Sequence, residues 1–122
     1  MIKKLPDSEF ELMKIIWNNP SPISTNQIMA QLAEGLSWKP QTVLTLLTRL
    51  IERGFLRSER VGKERIYDPI VSREEYVSYE SGSFLERFHD NSFLNLVNTL
   101  YDDHKVTDED LEALKQWLNA KE

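Results

Sequence analysis

The side chains best suited to chemistry share one predicted helix, within residues 38–54 of sequence WKPQTVLTLLTRLIERG. Spacings of three and four residues place its polar side chains on one side, namely Gln41, Thr45 and Thr48, with Leu44 and Arg49 at the edges. A helix face that is only solvated usually carries Lys and Glu pairs. Hydroxyls, an amide, an apolar side chain and an arginine are instead the groups that bind base edges. This face therefore predicts binding in a DNA groove.

The opposite side of the same helix is apolar and predicts where the helix packs. Its four residues are Val43, Leu46, Leu47 and Leu50. Pro40 suits the first helical position, where a missing N–H costs no hydrogen bond, and Gly54 suits the residue that ends a helix. We therefore expect one side of this helix in a core and the other available to a ligand.

Charge is distributed unevenly along the chain. The net charge is −5, yet residues 1–70 carry ten Lys and Arg against eight Asp and Glu, whereas residues 71–122 carry five against twelve. Within residues 39–65 the basic residues outnumber the acidic ones by seven to three. Salt screens charges beyond about 8–10 Å, so the charge near a contact surface matters more than the total. The acidic total therefore permits DNA binding and places it in the first half.

The composition excludes several classes of protein. The 122 residues are 40% hydrophobic and 29% charged and include no cysteine, which excludes disulfides and thiolate metal sites. We find no nucleophile elbow, phosphate loop or catalytic carboxylate pair, and expect no enzymatic activity and no cofactor. His89 and His104 match no usual metal-ligand spacing, so we predict solvated surface histidines and no metal site. Without a signal peptide or bilayer-spanning segment, a cytoplasmic location is expected.

Two shorter helices are predicted before the polar-faced helix. Asp7 and Ser8 are candidate N-terminal caps of the first, which ends at Asn-Asn-Pro 18–20 and leads into an extended connector. The second begins at Ser24, and Gly35 closes it. Its first turn, with Thr25 and Asn26, is polar without being acidic, which favours phosphate at the exposed N–H groups.

A basic hairpin is predicted after the polar-faced helix. Residues 55–69 alternate apolar and charged side chains around Gly62, and Pro69 ends the second strand. Three helices followed by a basic hairpin are typical of a winged helix-turn-helix. The predicted DNA-contacting residues are Thr25, Asn26, Lys39, Gln41, Thr42, Leu44, Thr45, Thr48, Arg49, Arg53, Lys63 and Arg65. Leu44 has an alternative, which is packing on the second helix or on a partner chain.

From residue 72 the composition changes, which predicts a boundary between a DNA-binding lobe, 1–71, and a second lobe, 72–122. Ser72 and Glu75 form a capping-box pattern for a helix to about His89; further helices are predicted over 91–101 and after Thr107.

A lobe of about 50 residues buries too little apolar surface to be stable alone, and such lobes usually gain a core by binding a partner. The lobe therefore predicts a dimerisation arm that uses Phe84, Leu85, Phe88, Phe93, Leu96, Val97, Leu100, Leu111, Leu114, Trp117 and Leu118. Phe84, Phe88 and Phe93 could alternatively line a ligand pocket, but their helical spacing favours a core or dimer seam. The fold class expected is mainly α-helical with a small β-hairpin wing, followed by a three-helix arm.

Several segments together resemble the penicillinase-repressor family, the BlaI/MecI/CopY type of bacterial repressor. They are SEFELMKIIW, WKPQTVLTLLTRLIERGF, GKERIYDP, SFLERFHDNSFLNLV and TDEDLEALKQWL. The resemblance spans nearly the whole chain. It implies a homodimer on a palindromic double-stranded operator with TACA/TGTA half-sites, which silences a β-lactamase or related resistance operon. It also implies a membrane sensor-protease system that ends repression by cutting the arm, at a bond that aligns with Thr99–Leu100.

The sequence departs from that family pattern in three places. Leu44 stands where the β-lactam repressors often have a basic residue, which predicts a different operator preference. The family's Asn-Phe cleavage bond is absent at Thr99–Leu100, since Asn98 lies one residue early. The C-terminal cysteine motif of the copper-responsive branch is also absent, so copper sensing through it is not expected. The alternative function is a winged-helix module of another operon, or one that binds protein rather than DNA, which the acidic second half favours.

Overall fold

The computed structural model describes residues 2–32, 35 and 37–121. Its elements in chain order are α1 (Asp7–Trp17), β1 (Ile23–Ser24), α2 (Thr25–Leu32), α3 (Pro40–Glu52), β2 (Leu56–Val61), β3 (Glu64–Pro69), α4 (Arg73–His89), α5 (Phe93–Asp102) and α6 (Asp108–Ala120). The chain divides into two compact units, Met1–Tyr79 and Glu80–Glu122. The predicted boundary at residue 72 lies at the cap of α4, whereas the units divide within that helix.

The first unit is a winged helix. Its core joins apolar residues of α1, α2 and α3 to the base of the hairpin, which are Leu12, Met13, Ile16, Ile28, Leu32, Val43, Leu46, Leu47, Leu50, Phe55, Leu56 and Tyr67. The predicted hairpin forms, and Gly62 takes the φ of +64° that its turn requires. Gly54 ends α3 with a φ of +81°, as predicted.

The start of α4 belongs to this first unit because its side chains pack into the winged-helix core. Tyr76 is buried, and its hydroxyl accepts a hydrogen bond of 2.8 Å from the backbone N–H of Leu5. Trp17 donates its indole N–H to the carbonyl of Val71 at 3.0 Å. Both contacts join residues more than 50 positions apart in sequence, so no local pattern could reveal them.

Two features at the start of the chain differ from the sequence prediction. Neither Asp7 nor Ser8 caps α1; Pro6 occupies the cap position, its carbonyl accepts from the N–H of Phe10, and no side chain caps the helix. The predicted caps were wrong because Pro6 already holds an extended φ of −58° and ψ of 153° directly before the helix. The connector contains a strand, β1, that pairs antiparallel with β3 and gives the sheet order β1-β3-β2.

α4 and α6 begin where the sequence predicted, directly after Ser72 and Thr107. Ser72 and Glu75 form the capping box of α4, and Thr107 and Asp110 form that of α6. α5 begins at Phe93, later than predicted, because Asn91 has a φ of 62° that is incompatible with a helix. Between α5 and α6 the Tyr101 hydroxyl donates to Asp108 at 2.7 Å, and this hydrogen bond and the negative carboxylate raise the pKa of Tyr101.

His89 contradicts the prediction of two solvated histidines. Its exposed fraction is 8%, its ring packs on Phe84, and its Nδ1 lies within hydrogen-bonding distance of the Asn95 side-chain oxygen. The reason is its position at the C-terminal end of α4, where Phe84 of the same helix and Asn95 of α5 lie against the imidazole. His104 is exposed.

Asp90 offers a test of the turn between α4 and α5. Its φ of 50° is left-handed, and its charge follows the C-terminal end of α4, where the helix dipole disfavours a negative group. We expect Asp90→Gly to raise the free energy of unfolding by about 0.5–1 kcal/mol. Asp90→Ala should be less stable than Asp90→Gly, since alanine also removes the charge but keeps a Cβ in the left-handed backbone.

Chemical denaturation measures these differences, and Asp90→Asn separates the two causes. Asparagine tolerates a left-handed backbone but carries no charge. A stability order with alanine above glycine would contradict the backbone argument.

Candidate nucleic-acid interface

The candidate interface begins with the exposed side of α3. The apolar residues predicted to pack are buried, whereas Gln41, Thr45, Thr48 and Arg49 are exposed. Lys39 and Thr42 are exposed as well. The exposed fraction of Leu44 is 42%, so the described chain leaves much of this apolar side chain available to a ligand. One helix thus carries a buried apolar side and an exposed, mainly polar side, as the sequence predicted.

The threonine hydroxyls of α3 already donate hydrogen bonds to their own helix. Thr45 Oγ1 donates to the carbonyl of Gln41 at 3.0 Å, and Thr48 Oγ1 donates to the carbonyl of Leu44 at 3.0 Å. Such bonds to the residue four positions earlier are a usual arrangement for Thr in helices. With the hydroxyl proton committed, each side chain offers an acceptor oxygen and a methyl group. The methyl suits contact with the thymine C5-methyl group.

A second cluster forms where the start of α2 meets the hairpin. A cavity of about 180 Å³ is lined by Thr25, Asn26, Arg60, Lys63, Glu64 and Arg65. Thr25 Oγ1 donates to the carbonyl of Arg65 at 3.4 Å, and Asn26 Nδ2 donates to Glu64 Oε1 at 3.2 Å. Four predicted contact residues therefore come together here, and Arg60 and Glu64, which were not among the predicted contacts, lie beside them.

Arg53 has a partner that the sequence analysis did not predict. Its Nε donates to Glu9 Oε1 at 2.7 Å, and the exposed fraction of the Glu9 side chain is 1%. A signal was present in the sequence, since Glu9 shares the helical spacing of the buried Leu12, Met13 and Ile16. A carboxylate on the apolar side of a helix requires a partner.

Other kinds of site receive no support from the described residues. Within 2–32, 35 and 37–121 no group of three or more His, Cys, Asp or Glu residues lies close enough to hold a metal ion. Over the same residues no helix combines the length and apolar character needed to cross a membrane.

A sequence model of the family described as penicillinase repressor matches residues 5–120. The chain belongs to the penicillinase repressor family. It is 33% identical over 120 residues to the penicillinase repressor of Bacillus licheniformis, covering 96% of this chain and 93% of that one. It is 27% identical over 118 residues to the methicillin resistance regulatory protein MecI of Staphylococcus aureus, covering 97% of this chain and 95% of that one. The resemblance stated from the sequence is thereby confirmed.

Solved structures of this family also match. The solution structure of the DNA-binding domain of the repressor BlaI is 36% identical, with a TM-score of 0.56, and covers 62% of this chain and 92% of that chain. The structure of monomeric B. licheniformis BlaI in complex with the blaP half-operator matches with a TM-score of 0.53 and 36% identity, over the same coverage. These matches confirm the winged-helix fold predicted from the sequence.

Proposed function

We propose that this protein is a transcriptional repressor that binds double-stranded operator DNA through α3 and the hairpin. The observation that carries the proposal is the division of α3 into a buried apolar side and an exposed side of amide, hydroxyl, apolar and guanidinium groups. The B. licheniformis neighbour is a complex with a half-operator, which supports the same role for this winged helix.

Within the proposed interface the residues divide into two groups. Lys39, Arg49 and Lys63 neutralise phosphates and supply affinity that depends on salt but not on sequence. Gln41, Leu44 and Thr45 meet base edges, where an amide suits adenine and apolar groups suit the thymine methyl. The cavity between α2 and the hairpin places Thr25, Asn26 and Lys63 together for a further backbone contact.

The second unit is proposed to hold two copies of the chain together on a palindromic operator. Neither α5 nor α6 contains a buried residue, although both present large apolar side chains. The exposed fractions of Phe88, Phe93 and Trp117 are 60%, 56% and 55%. Large exposed apolar surfaces mark interaction sites, and a unit this small gains its core from a partner. A second copy supplies the matching apolar surface by symmetry.

The family membership supports a resistance-type operon and release by proteolysis in the arm. The Thr99–Leu100 bond proposed for cleavage lies inside α5, with Thr99 exposed and Leu100 half-buried. The carbonyl of Leu100 accepts from the N–H groups of Lys105 and Val106, which close the turn into α6. A protease of the proposed sensor system must unwind this helix to reach the bond, and cleavage would separate α6 from the rest of the arm.

Two sets of substitutions test the proposed interface. Arg49→Ala and Lys63→Ala should each weaken binding to all duplexes and lower the slope of log affinity against log salt by about one. Gln41→Ala should instead change the preferred sequence, at about 1–3 kcal/mol per lost base contact. Fluorescence anisotropy with operator and scrambled duplexes, over a range of salt concentrations, measures both effects.

Lys14→Ala provides the control, because Lys14 is an exposed lysine of the same unit that is already paired with Glu11. The Thr45 contact is tested by two variants, since Thr45→Val keeps the methyl group and Thr45→Ser removes it. We expect the serine variant to change sequence preference more. Wild-type protein without salt-sensitive retention on DNA would instead favour a protein-binding winged helix.

A further inference from the structure

We propose that Glu9 and Arg53 form a positioning pair that fixes the C-terminal turn of α3, and that Arg53 does not act as a phosphate ligand. The inference rests on the proposed function, since it concerns how α3 meets DNA. It replaces the phosphate contact that the sequence analysis predicted for Arg53. The pair joins the first turn of α1 to the residue that ends α3, across 44 positions of sequence.

Because Glu9 is buried, its ion pair with Arg53 matters for the stability of the fold. A carboxylate with 1% exposure has lost its water and depends on the Arg53 guanidinium for a hydrogen-bonding cation. Each charge also lies at the helix end that favours it, Glu9 at the N-terminal end of α1 and Arg53 at the C-terminal end of α3. Removing either charge therefore lowers the free energy of unfolding. Removing Arg53 lowers it more, because Glu9 is then buried without its partner.

The pair contributes little net charge to the DNA-binding face. Binding affinity that depends on salt scales with the number of phosphates that free cations neutralise. Since the Nε side of the guanidinium is committed to a carboxylate at 2.7 Å, the charge of Arg53 is already compensated within the protein. Loss of the pair should therefore leave the salt dependence of DNA binding unchanged.

Arg53 is joined to the proposed DNA-binding side of α3 by one backbone hydrogen bond. The backbone N–H of Arg53 donates to the carbonyl of Arg49 at 2.9 Å, so an anchored Arg53 holds the helical turn that carries Arg49. α1 and α3 also pack against each other, which makes α1 the support for the ligand side of α3. A freed Arg53 would let α3 shift on α1 and displace its base-contacting side chains, while the long, flexible side chain of Arg49 still reaches its phosphate.

Binding and unfolding measurements on Glu9→Gln, Arg53→Ala and the double variant test the proposal in the full chain. We expect the affinity of the folded protein for operator DNA to fall about tenfold in Arg53→Ala, comparable to one base contact, with an unchanged salt slope. Arg53→Ala should lower the melting temperature more than Glu9→Gln does. The double variant should melt above Arg53→Ala, since it no longer buries a lone carboxylate.

Glu11→Gln is the matched control, because it removes the same charge from the same helix but from the exposed pair with Lys14. A salt slope reduced by about one in Arg53→Ala alone would identify Arg53 as a phosphate ligand and overturn the proposal. Unchanged affinity of folded Arg53→Ala would show a purely structural pair and also overturn it. Absence of DNA binding by the wild type would refute the proposed repressor function, whereas the unfolding measurements would still report whether Glu9 and Arg53 are coupled.

Discussion

Replacing Phe93 and Trp117 together by glutamate is expected to convert the proposed dimer into a monomer and to weaken binding to a palindromic operator by about 10²–10⁴-fold. The effect is large because a dimer binds both half-sites at once, and two joined half-site contacts bind far more tightly than either contact alone. Binding to a single half-site should stay unchanged, because neither residue lies in the winged-helix unit.

The two positions are chosen because the chain leaves them exposed. Phe93 and Trp117 have exposed fractions of 56% and 55%, so their replacement removes no core packing within one chain. Glutamate at position 93 also lies in the first turn of α5, where a negative charge is favourable. Two buried carboxylates at an apolar interface, in contrast, carry a large desolvation cost.

Analytical ultracentrifugation measures the oligomeric state, and anisotropy with full and half operators measures the affinities. Asn98→Glu with Asn119→Glu is the matched control, since it adds the same charges to exposed polar positions of the same two helices. The control should stay dimeric. A glutamate variant that remains a dimer, or a monomer that binds the full operator with wild-type affinity, would contradict the proposed role of the arm.

Phe55→Ala is expected to lower the free energy of unfolding of the winged-helix unit by about 3–5 kcal/mol. Phe55 is buried, and its ring packs edge-on against Tyr76 with centroids 5.5 Å apart. Its backbone N–H donates to the carbonyl of Leu50, and its carbonyl accepts from the N–H of Ile70. Truncation therefore leaves a cavity where the end of α3, the hairpin and the start of α4 meet.

Chemical denaturation measures this loss. An unchanged m-value would show that the variant changes the free energy of unfolding and not the surface exposed on unfolding. Ile70→Ala is the control, because Ile70 is 55% exposed and alanine keeps its backbone hydrogen bond to Phe55. The control should change the free energy of unfolding by about 0.5 kcal/mol or less. A Phe55→Ala loss below about 1 kcal/mol would show that the core around α3 can collapse into the space.

Much of the first unit could be predicted from sequence because the patterns involved are local. Pro40 and Gly54 mark the ends of α3, and spacings of three and four residues assign its two sides. The hairpin was predicted from alternation around Gly62, and the capping box of α4 from Ser72 and Glu75, three positions apart. In each case the interacting groups lie within a few residues, so the sequence pattern contains the contact itself.

The candidate site was predictable in its residue types but not in its partners. Gln41, Leu44 and Thr45 were assigned to the exposed side correctly, because the period of a helix fixes which residues share a side. The internal hydrogen bonds of the threonines depend on side-chain rotamers. The approach of Asn26 to Glu64 depends on how α2 and the hairpin meet, which spacing along the chain does not encode.

The sequence by itself determined most of the secondary structure, the winged-helix order, the family and the exposed side of α3, because the periods and motifs that specify them are local. Only the tertiary structure decided that β1 pairs with β3, that Glu9 is buried against Arg53, and that His89 is buried beside Asn95 of α5. The physical reason is that burial is set by whatever element packs above a residue, and the packing of α1 on α3 joins residues 44 positions apart. A charged residue at a buried helical position marks such a contact in the sequence, but its partner is fixed only when the chain folds.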